Sequence, residues 1–141
     1  MSGNQTERSI HFPMASRLAE VRPAVQRVRE FLSSHGYGEE VLMDCDLALV
    51  EACNNAIEHA ATNVGGQSVI VEAICGSNEV ELRVTDHTTG FDWPGEAALP
   101  DSESESGRGL FLIRALMDSA EYLRSPRGNM LILRKKIGNG S

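Results

Sequence analysis

The sequence predicts an α+β fold, a two-layer sandwich in which helices pack on one face of a mixed, mostly antiparallel sheet. Three observations lead to this expectation. After a short N-terminal strand segment, two segments with helical spacing of apolar residues are followed by two pairs of β-rich segments joined by turns, and one more helical segment separates those pairs. Strands joined by hairpin turns are antiparallel, and helices commonly cover one face of such a sheet.

The first third of the chain predicts one strand and two helices. The strand is expected at residues 9–15, and helices at 18–34 and 39–61. The first helix is predicted from apolar residues that recur at helical spacing, namely Leu18, Val21, Val25, Val28 and Leu32. It is expected to end near Gly36, because glycine tolerates the positive φ at which many helices end.

The remainder predicts two hairpins around a helix. Strands at 69–75 and 80–86 flank the turn Gly76-Ser77-Asn78, and strands at 121–124 and 130–136 flank a turn at 125–128. A helix at 109–117 lies between the hairpins. Residues 87–106 are rich in Gly, Pro, Ser and acidic residues, which is typical of a long functional loop.

The length of 141 residues predicts a single globular domain over residues 1–141, with an ordered core expected at about 9–137. The chain is 41% hydrophobic and 23% charged, values typical of a soluble protein with a buried core. Its formal charge of −7 opposes nonspecific nucleic-acid binding. No long apolar stretch or leader-like N-terminus is present, so we expect a cytoplasmic protein without a membrane anchor.

The three cysteines, Cys45, Cys53 and Cys75, have neither the number nor the spacing of a disulfide framework or a zinc site. The first two lie eight residues apart on the predicted second helix, about 12 Å at the helical rise per residue and too far for a bridge. We expect buried, reduced thiols.

The second predicted helix carries Glu51, Asn55 and His59 at four-residue spacing, which places them along one side of the helix. A carboxylate suits a general base, and an amide oxygen suits Mg²⁺. The alternative is an amphipathic helix whose polar residues simply face water. The pair Asn54-Asn55 favours a site, because asparagine is a poor residue inside a helix.

Two further segments have both a functional and a structural interpretation. Asp86 ends a predicted strand, where it can accept a hydrogen bond from a ligand amino group or can merely initiate a turn. The segment Gly107-Arg108-Gly109-Leu110 precedes a predicted helix, where backbone N–H groups can bind phosphate or the glycines can act as a hinge.

The order of these segments resembles the GHKL (Bergerat) ATPase superfamily. Glu51-x-x-x-Asn55-Ala56-x-x-His59 resembles its N-box, Asp86-x-x-x-Gly90-Phe91-Asp92 its first glycine box, and Gly107-Arg108-Gly109-Leu110-Phe111 its second. The short length and the residues at 110–118 are similar to the anti-sigma factor serine/threonine-protein kinases in particular. The resemblance covers residues 10–136, nearly the whole chain.

The resemblance implies ATP and Mg²⁺ as ligands. It implies Glu51 as the base that activates a partner serine, Asn55 as the Mg²⁺ ligand, and Asp86 as the acceptor for the adenine amino group. Residues 87–106 would form the ATP lid. The other residues implied to contact the nucleotide are His59, Gly90, Gly107, Arg108, Gly109, Leu110 and Asn129.

The sequence departs from the superfamily pattern at three places. Thr88 stands at the first glycine of the first box, and Glu105 stands where some members have an arginine that contacts the terminal phosphate. Near the end, a common Gly-Thr pair appears as Gly128-Asn129, whose side chain still has hydrogen-bonding groups. The first two departures put adenine fit and rapid phosphoryl transfer in question.

The resemblance implies a protein serine kinase and anti-sigma factor that phosphorylates an anti-anti-sigma (STAS-type) protein and sequesters a sigma factor or an analogous regulator. Such proteins commonly form homodimers through the N-terminal strand and the first helix. The alternative is a nucleotide-gated binding module that transfers no phosphate. The catalytic half of a histidine kinase is a weaker alternative, because no dimerisation helices or phosphoacceptor segment precede the domain.

Overall fold

The computed structural model describes residues 8–60, 69–86, 105–125 and 128–137. Its regular elements are β1 (Ser9–Met14), α1 (Val21–Ser34), α2 (Glu39–Ala60), β2 (Val69–Cys75), β3 (Glu79–Asp86), α3 (Glu105–Leu116), β4 (Ser119–Ser125) and β5 (Gly128–Lys136). A short 3-10 helix, Leu18–Glu20, leads into α1. This order confirms the predicted sequence of elements, β-α-α-β-β-α-β-β.

The five strands form one sheet in the order β1-β2-β3-β5-β4. All four neighbouring pairs are antiparallel, so the expectation of a mixed sheet is wrong for the described strands. The connections explain the directions. Two helices separate β1 from β2, a short turn joins β2 to β3, and β4 and β5 are separated by two residues along the chain. β5 lies between β3 and the co-directional β4.

One face of the sheet is covered by helices, as predicted. Alternation along each strand sends every second side chain to this inner face. The buried apolar residues of the inner face are Phe12, Met14, Val69, Val71, Ala73, Cys75, Val80, Leu82, Val84, Leu131 and Leu133. They form one core with buried residues of all three α-helices, so α2 is packed directly over the centre of the sheet.

The end of α1 follows the predicted chemistry. Gly36 has a φ of +90°, and the backbone N–H groups of His35 and Gly36 donate to carbonyls of the last helical turn. A residue with a Cβ is strained at that φ, so glycine suits the position. The start of the helix differs from the expectation, since residues 18–20 are 3-10 and α1 begins at Val21, two residues before Pro23.

The three cysteines are buried and free, as expected. Cys53 lies at the centre of α2, where burial raises the pKa of its thiol to about 12. Burial likewise raises the pKa of Cys45 to about 12. Neither side chain is therefore a thiolate near neutral pH, and both act as small apolar core residues.

The outer face of the sheet carries charged residues in cross-strand pairs. Arg83 on β3 donates from Nε to Glu81 at 2.5 Å and lies 3.7 Å from Glu72 on β2. Arg134 on β5 donates from Nε to Glu81 at 3.1 Å and lies 3.5 Å from Glu121 on β4. Two arginines thus link acidic residues across four adjacent strands.

Candidate nucleotide site

The second half of α2 brings one amide into the protein interior. Asn55 is only 7% exposed, while Glu51, one turn earlier on the helix, is half-buried. Both lie where the four-residue spacing predicted, on the same side of α2. His59 belongs to the same helix, but its side chain is outside the described residues.

Strand alternation brings a carboxylate to the same region. Val80, Leu82, Val84 and Asp86 occupy successive inner-face positions of β3, and Asp86 is the last of them. The carboxylate therefore lies under the helices and is only 5% exposed, unlike the side chain of a turn residue that faces solvent. This position favours the binding interpretation of Asp86 over the turn-forming one.

Asn129 lies directly opposite Asp86 in the register of β3 and β5. Its Nδ2 donates a hydrogen bond of 2.9 Å to Asp86 Oδ1, and its side chain is 1% exposed. Asn129, which stands where the superfamily pattern has threonine, therefore donates a hydrogen bond to Asp86, the predicted acceptor for the adenine amino group.

A small pocket lies between α2 and this end of the sheet. Its lining residues are Ala52, Asn55, Ala56, Val84, Asp86, Tyr122 and Leu131. The two alanines reduce the bulk of α2 facing the strands, so the amide and the carboxylate border the same space. Within the described residues the pocket has a volume of about 10 Å³, room for about one water molecule, so a larger ligand would have to extend beyond these residues.

The buried polar groups are concentrated at this one end of the molecule. Among the residues the structure describes, the buried polar or charged ones are Asn55, Asp86 and Asn129. Burying an amide or a carboxylate costs free energy that an apolar residue would not cost. A cluster that the core does not require is therefore a candidate for function.

Sequence reasoning did not identify Tyr122, Val84 or Leu131 as pocket residues. Each occupies an inner-face position of its strand, and the register places Leu131 between Val84 and Tyr122. Alternation identifies inner-face residues, but only the strand order shows which of them lie next to Asp86. No local sequence signal distinguishes these three from other core residues.

The second glycine segment lies inside a helix and not before it, which corrects the prediction. α3 begins at Glu105, four residues before the predicted start at Gly109, and the last two residues of the predicted lid, Glu105 and Ser106, belong to it. Packing of α3 against α2 offsets the low helix propensity of the glycines.

Gly107 is accordingly in the first turn of α3, where N–H groups have no partner within the helix, and Gly109 is past that turn. The side chains of Arg108 and Leu110 are outside the described residues. So are Thr88 and Gly90 and the rest of the predicted lid at residues 87–104. Their roles stay predictions.

Among the described helices, none combines the length and apolar character needed to cross a membrane. The described part also contains no cluster of three or more His, Cys, Asp or Glu side chains arranged to hold a metal ion. The Asn55 amide oxygen is the candidate metal ligand in the described part, and an oxygen ligand of this kind suits Mg²⁺.

Comparisons with known proteins identify the family of this domain. Residues 14–135 match the model of the histidine kinase-like ATPase domain. Among curated proteins, the chain is 32% identical over 100 residues to the serine-protein kinase RsbW of Bacillus pumilus, covering 63% of this chain and 62% of that protein. It is 29% identical over 111 residues to the RsbW of Bacillus thuringiensis, covering 72% and 68% respectively.

Two solved structures share the fold. One contains the RsbU and RsbW domains of a Mycobacterium tuberculosis protein, with a TM-score of 0.67, 20% identity and coverage of 90% of this chain and 31% of that one. The other is the SiaB-SiaC complex of Pseudomonas aeruginosa, with a TM-score of 0.64, 15% identity and coverage of 96% and 94%. From the match over residues 14–135, the chain belongs to the histidine kinase-like ATPase domain family, in agreement with its resemblance to the GHKL superfamily.

Proposed function

We propose that this protein is an ATP-dependent protein serine kinase that also acts as an anti-sigma factor in a partner-switching pathway. The observation that carries the proposal is the pocket in which Asn55 of α2 and Asp86 of β3 meet. These are the two residues that the superfamily pattern assigns to Mg²⁺ and to adenine. The similarity to proteins named serine-protein kinase RsbW supports this choice within the family.

In this proposal the adenine of ATP lies beside Asp86 at the pocket, and the rest of the nucleotide extends beyond the pocket, with its phosphates towards the start of α3. Asp86 accepts a hydrogen bond from the adenine amino group, because an ionised carboxylate has only acceptors. Asn55 provides an oxygen ligand for Mg²⁺, and Gly107, Arg108, Gly109 and Leu110 lie at or near the N-terminal end of α3, which favours anions. Gly90 and His59 are further proposed contacts with the nucleotide. Gly90 and the side chain of His59 are outside the part of the chain that the structure describes.

Glu51 is the proposed catalytic base. It is half-buried, one turn before Asn55, so it stands beside the proposed Mg²⁺ ligand and remains accessible from outside. Its carboxylate would accept the proton of a serine hydroxyl on a partner protein. Phosphoryl transfer depends largely on positioning and electrostatic stabilisation, which this pair of residues provides.

One proposed partner is an anti-anti-sigma protein of the STAS type, which supplies the serine. The other is a sigma factor or analogous regulator, which the kinase binds when the anti-anti-sigma protein is absent. A homodimer is also proposed. Among the described strands β1 is at an edge of the sheet, so its outer side pairs with no other described strand and would be the side that contacts a second copy.

A second candidate function is a nucleotide-gated binding module without phosphoryl transfer. Glu105 favours it, because a carboxylate replaces the arginine that some members present to the terminal phosphate, and this residue begins α3. In that case the protein would bind ATP and exchange partners but would leave their mass unchanged.

Calorimetric titration with Mg·ATP tests the site, using the wild type, Asn55→Ala and, as a matched control, Asn54→Ala. Asn54 is the next residue of the same helix, but it borders the groove between α1 and α2 and not the pocket. We expect Asn55→Ala to weaken binding by at least about 10-fold, a typical loss for a disturbed metal site. Equal affinities for the two variants, or no binding by the wild type, would contradict the proposal.

Mass spectrometry of a STAS-type protein incubated with the kinase and Mg·ATP separates the two candidate functions. We expect Glu51→Gln to bind ATP nearly as the wild type does. It should transfer phosphate at least about 100-fold more slowly than the wild type, as for loss of a general base. A wild type that binds ATP and adds no phosphoryl group to the partner would support the binding module instead.

A further inference from the structure

Lys135 interrupts the apolar pattern of the inner face. It lies on β5 two residues after Leu133, and the register pairs it with the fully buried Val80 of β3. A lysine at such a position costs free energy unless its ammonium group finds partners. Only 21% of the side chain is exposed, and its ammonium group reaches the helices that cover the sheet.

The Lys135 ammonium group joins two of these helices. Nζ lies 2.8 Å from Asp44 Oδ2 on α2 and donates a hydrogen bond of 2.8 Å to the carbonyl oxygen of Leu116, the last residue of α3. A cation there satisfies a carbonyl that lacks a helical partner and suits the negative end of the helix dipole. Directly after the helix, the N–H group of Asp118 donates to the carbonyl of Arg134 at 2.8 Å. The C-terminal end of α3 is therefore fixed to both α2 and β5.

This fixed end determines where the other end of α3 lies along α2. α3 packs against α2, and most of α2 follows Asp44, while only its first few residues precede it. A helix that packs along α2 from this point therefore extends towards Asn55. Asp44 and Asn55 are eleven residues apart, about three turns, and so lie on the same side of α2. Glu105 and Leu116 are the same number of residues apart, so the first turn of α3 is expected level with Asn55.

The two parts of a nucleotide depend differently on this arrangement. The proposed phosphate site combines Asn55 of α2 with the first turn of α3, so its geometry changes when one helix shifts along the other. The proposed adenine contact, Asp86, is on β3 and is held by the sheet. Loosening the C-terminal end of α3 should therefore weaken the phosphate contacts and leave the base contact in place.

We propose that Lys135 is a positioning residue for phosphate binding. By bridging Asp44 and the last carbonyl of α3, it holds the first turn of α3 beside Asn55. The inference rests on the proposed function, because it requires nucleotide phosphates at that turn. It goes further by giving an ion pair at the opposite end of α3 a part in nucleotide affinity, and that part concerns the phosphates and not the base.

The test titrates each protein with Mg·ATP and with adenosine, which carries the base without phosphates. Lys135→Met keeps most of the bulk of the side chain but removes the charge and the donors. We expect it to weaken Mg·ATP binding about 10-fold, as for a small misplacement of a binding group, and to change adenosine binding about 2-fold or less. Lys135→Arg, which retains charge and donors, should keep most of the Mg·ATP affinity.

Lys136→Met is the matched control, because it removes the same charge from the next residue of β5, which is exposed. It should leave both affinities within about 2-fold, since solvent and salt screen an exposed charge. The ratio of the two affinities is the decisive readout, because a purely structural role of Lys135 would weaken both ligands equally.

An unchanged ratio in Lys135→Met, or the same change of ratio in Lys136→Met, would overturn the inference while leaving nucleotide binding intact. A wild type that binds neither ligand would overturn the proposed function with it. If Lys135→Met does not fold by circular dichroism, Asp44→Asn removes the ion pair from the side of α2. That variant should shift the ratio in the same direction, and an unchanged ratio would then overturn the inference.

Discussion

On the outer face of the sheet, polar side chains are charged, partly exposed and paired, as Glu81 is with Arg83 of the same strand and with Arg134 of the neighbouring strand. On the inner face, the buried polar side chains are at one end, where Asn129 donates to Asp86 beneath α2. The two arginines remain about one-third exposed, so these pairs contribute modestly to folding, about 0–1 kcal/mol each. A buried carboxylate is costly to retain.

The difference shows where polarity is informative about function. Replacing the outer charges with other polar residues would leave the sheet solvated, so their identity says little about what the protein binds. The inner-face residues occupy positions at which apolar side chains would pack. Their retention at a pocket therefore points to a ligand, and the two faces should respond differently to equivalent substitutions.

The largest expected effect is on the free energy of unfolding, and it compares a leucine of the inner face with a leucine of the outer face. Leu82 lies fully buried on the inner face of β3, whereas Leu123 is 46% exposed on the outer face of β4. Leu82→Ala should lower the free energy of unfolding by about 2–5 kcal/mol, because it leaves a cavity in the core. Leu123→Ala should change it by about 0.5 kcal/mol or less. Urea unfolding measures both, and similar losses would contradict the assignment of faces.

The next effect is on binding and compares carboxylates. Asp86→Asn should weaken Mg·ATP affinity about 10- to 100-fold, since the acceptor becomes a neutral amide. Glu121→Gln, the same change on a half-exposed residue of the outer face, should leave affinity within about 2-fold. Calorimetry at neutral pH measures both variants.

The unfolding free energy of Asp86→Asn completes this comparison. We expect it to stay within about 1 kcal/mol of the wild type or to rise, because the substitution removes a buried charge and keeps the shape. A large loss of stability, with affinity unchanged in the folded fraction, would mean that Asp86 serves the fold and not the ligand.

Local patterns predicted most of the fold. Strand and helix periodicity gave the element order, and turn residues gave the two hairpins within a few residues of their observed ends. The predicted start of α3 was wrong because the low helix propensity of glycine is a local property, whereas the contact with α2 that stabilises the helix is tertiary. The prediction of a mixed sheet was wrong because strand directions depend on the position of β5 between β3 and β4, and periodicity does not show strand order.

The candidate site was predicted in part. Spacing on one helix placed Glu51 and Asn55 together, and the end of a strand identified Asp86. The joining of Asn55 and Asp86 in one pocket depends on how α2 packs over β3, which only the structure shows. Asn129 was identified by its position in the superfamily pattern, but its donor role depends on the cross-strand register.

The smallest expected effect concerns pH and the outer face. Burial acts to raise the pKa of the Glu81 carboxyl, but hydrogen bonds from Arg83 and Arg134 outweigh it and leave that pKa below its usual value. A carboxyl with a lowered folded pKa adds stability above its unfolded pKa, and this stability is lost as pH falls through the folded pKa. Glu81→Gln should therefore cost up to about 1 kcal/mol at neutral pH and progressively less in acid.

Urea unfolding of Glu81→Gln and the wild type at neutral and strongly acidic pH measures this dependence. Glu79→Gln is the matched control, because Glu79 is more exposed and lies 3.8 Å from Arg134. Its cost at neutral pH should be the smaller of the two. A Glu81→Gln cost that persists unchanged in acid would mean that packing and not charge stabilises this face, and the contrast between the two faces of the sheet would then be one of degree.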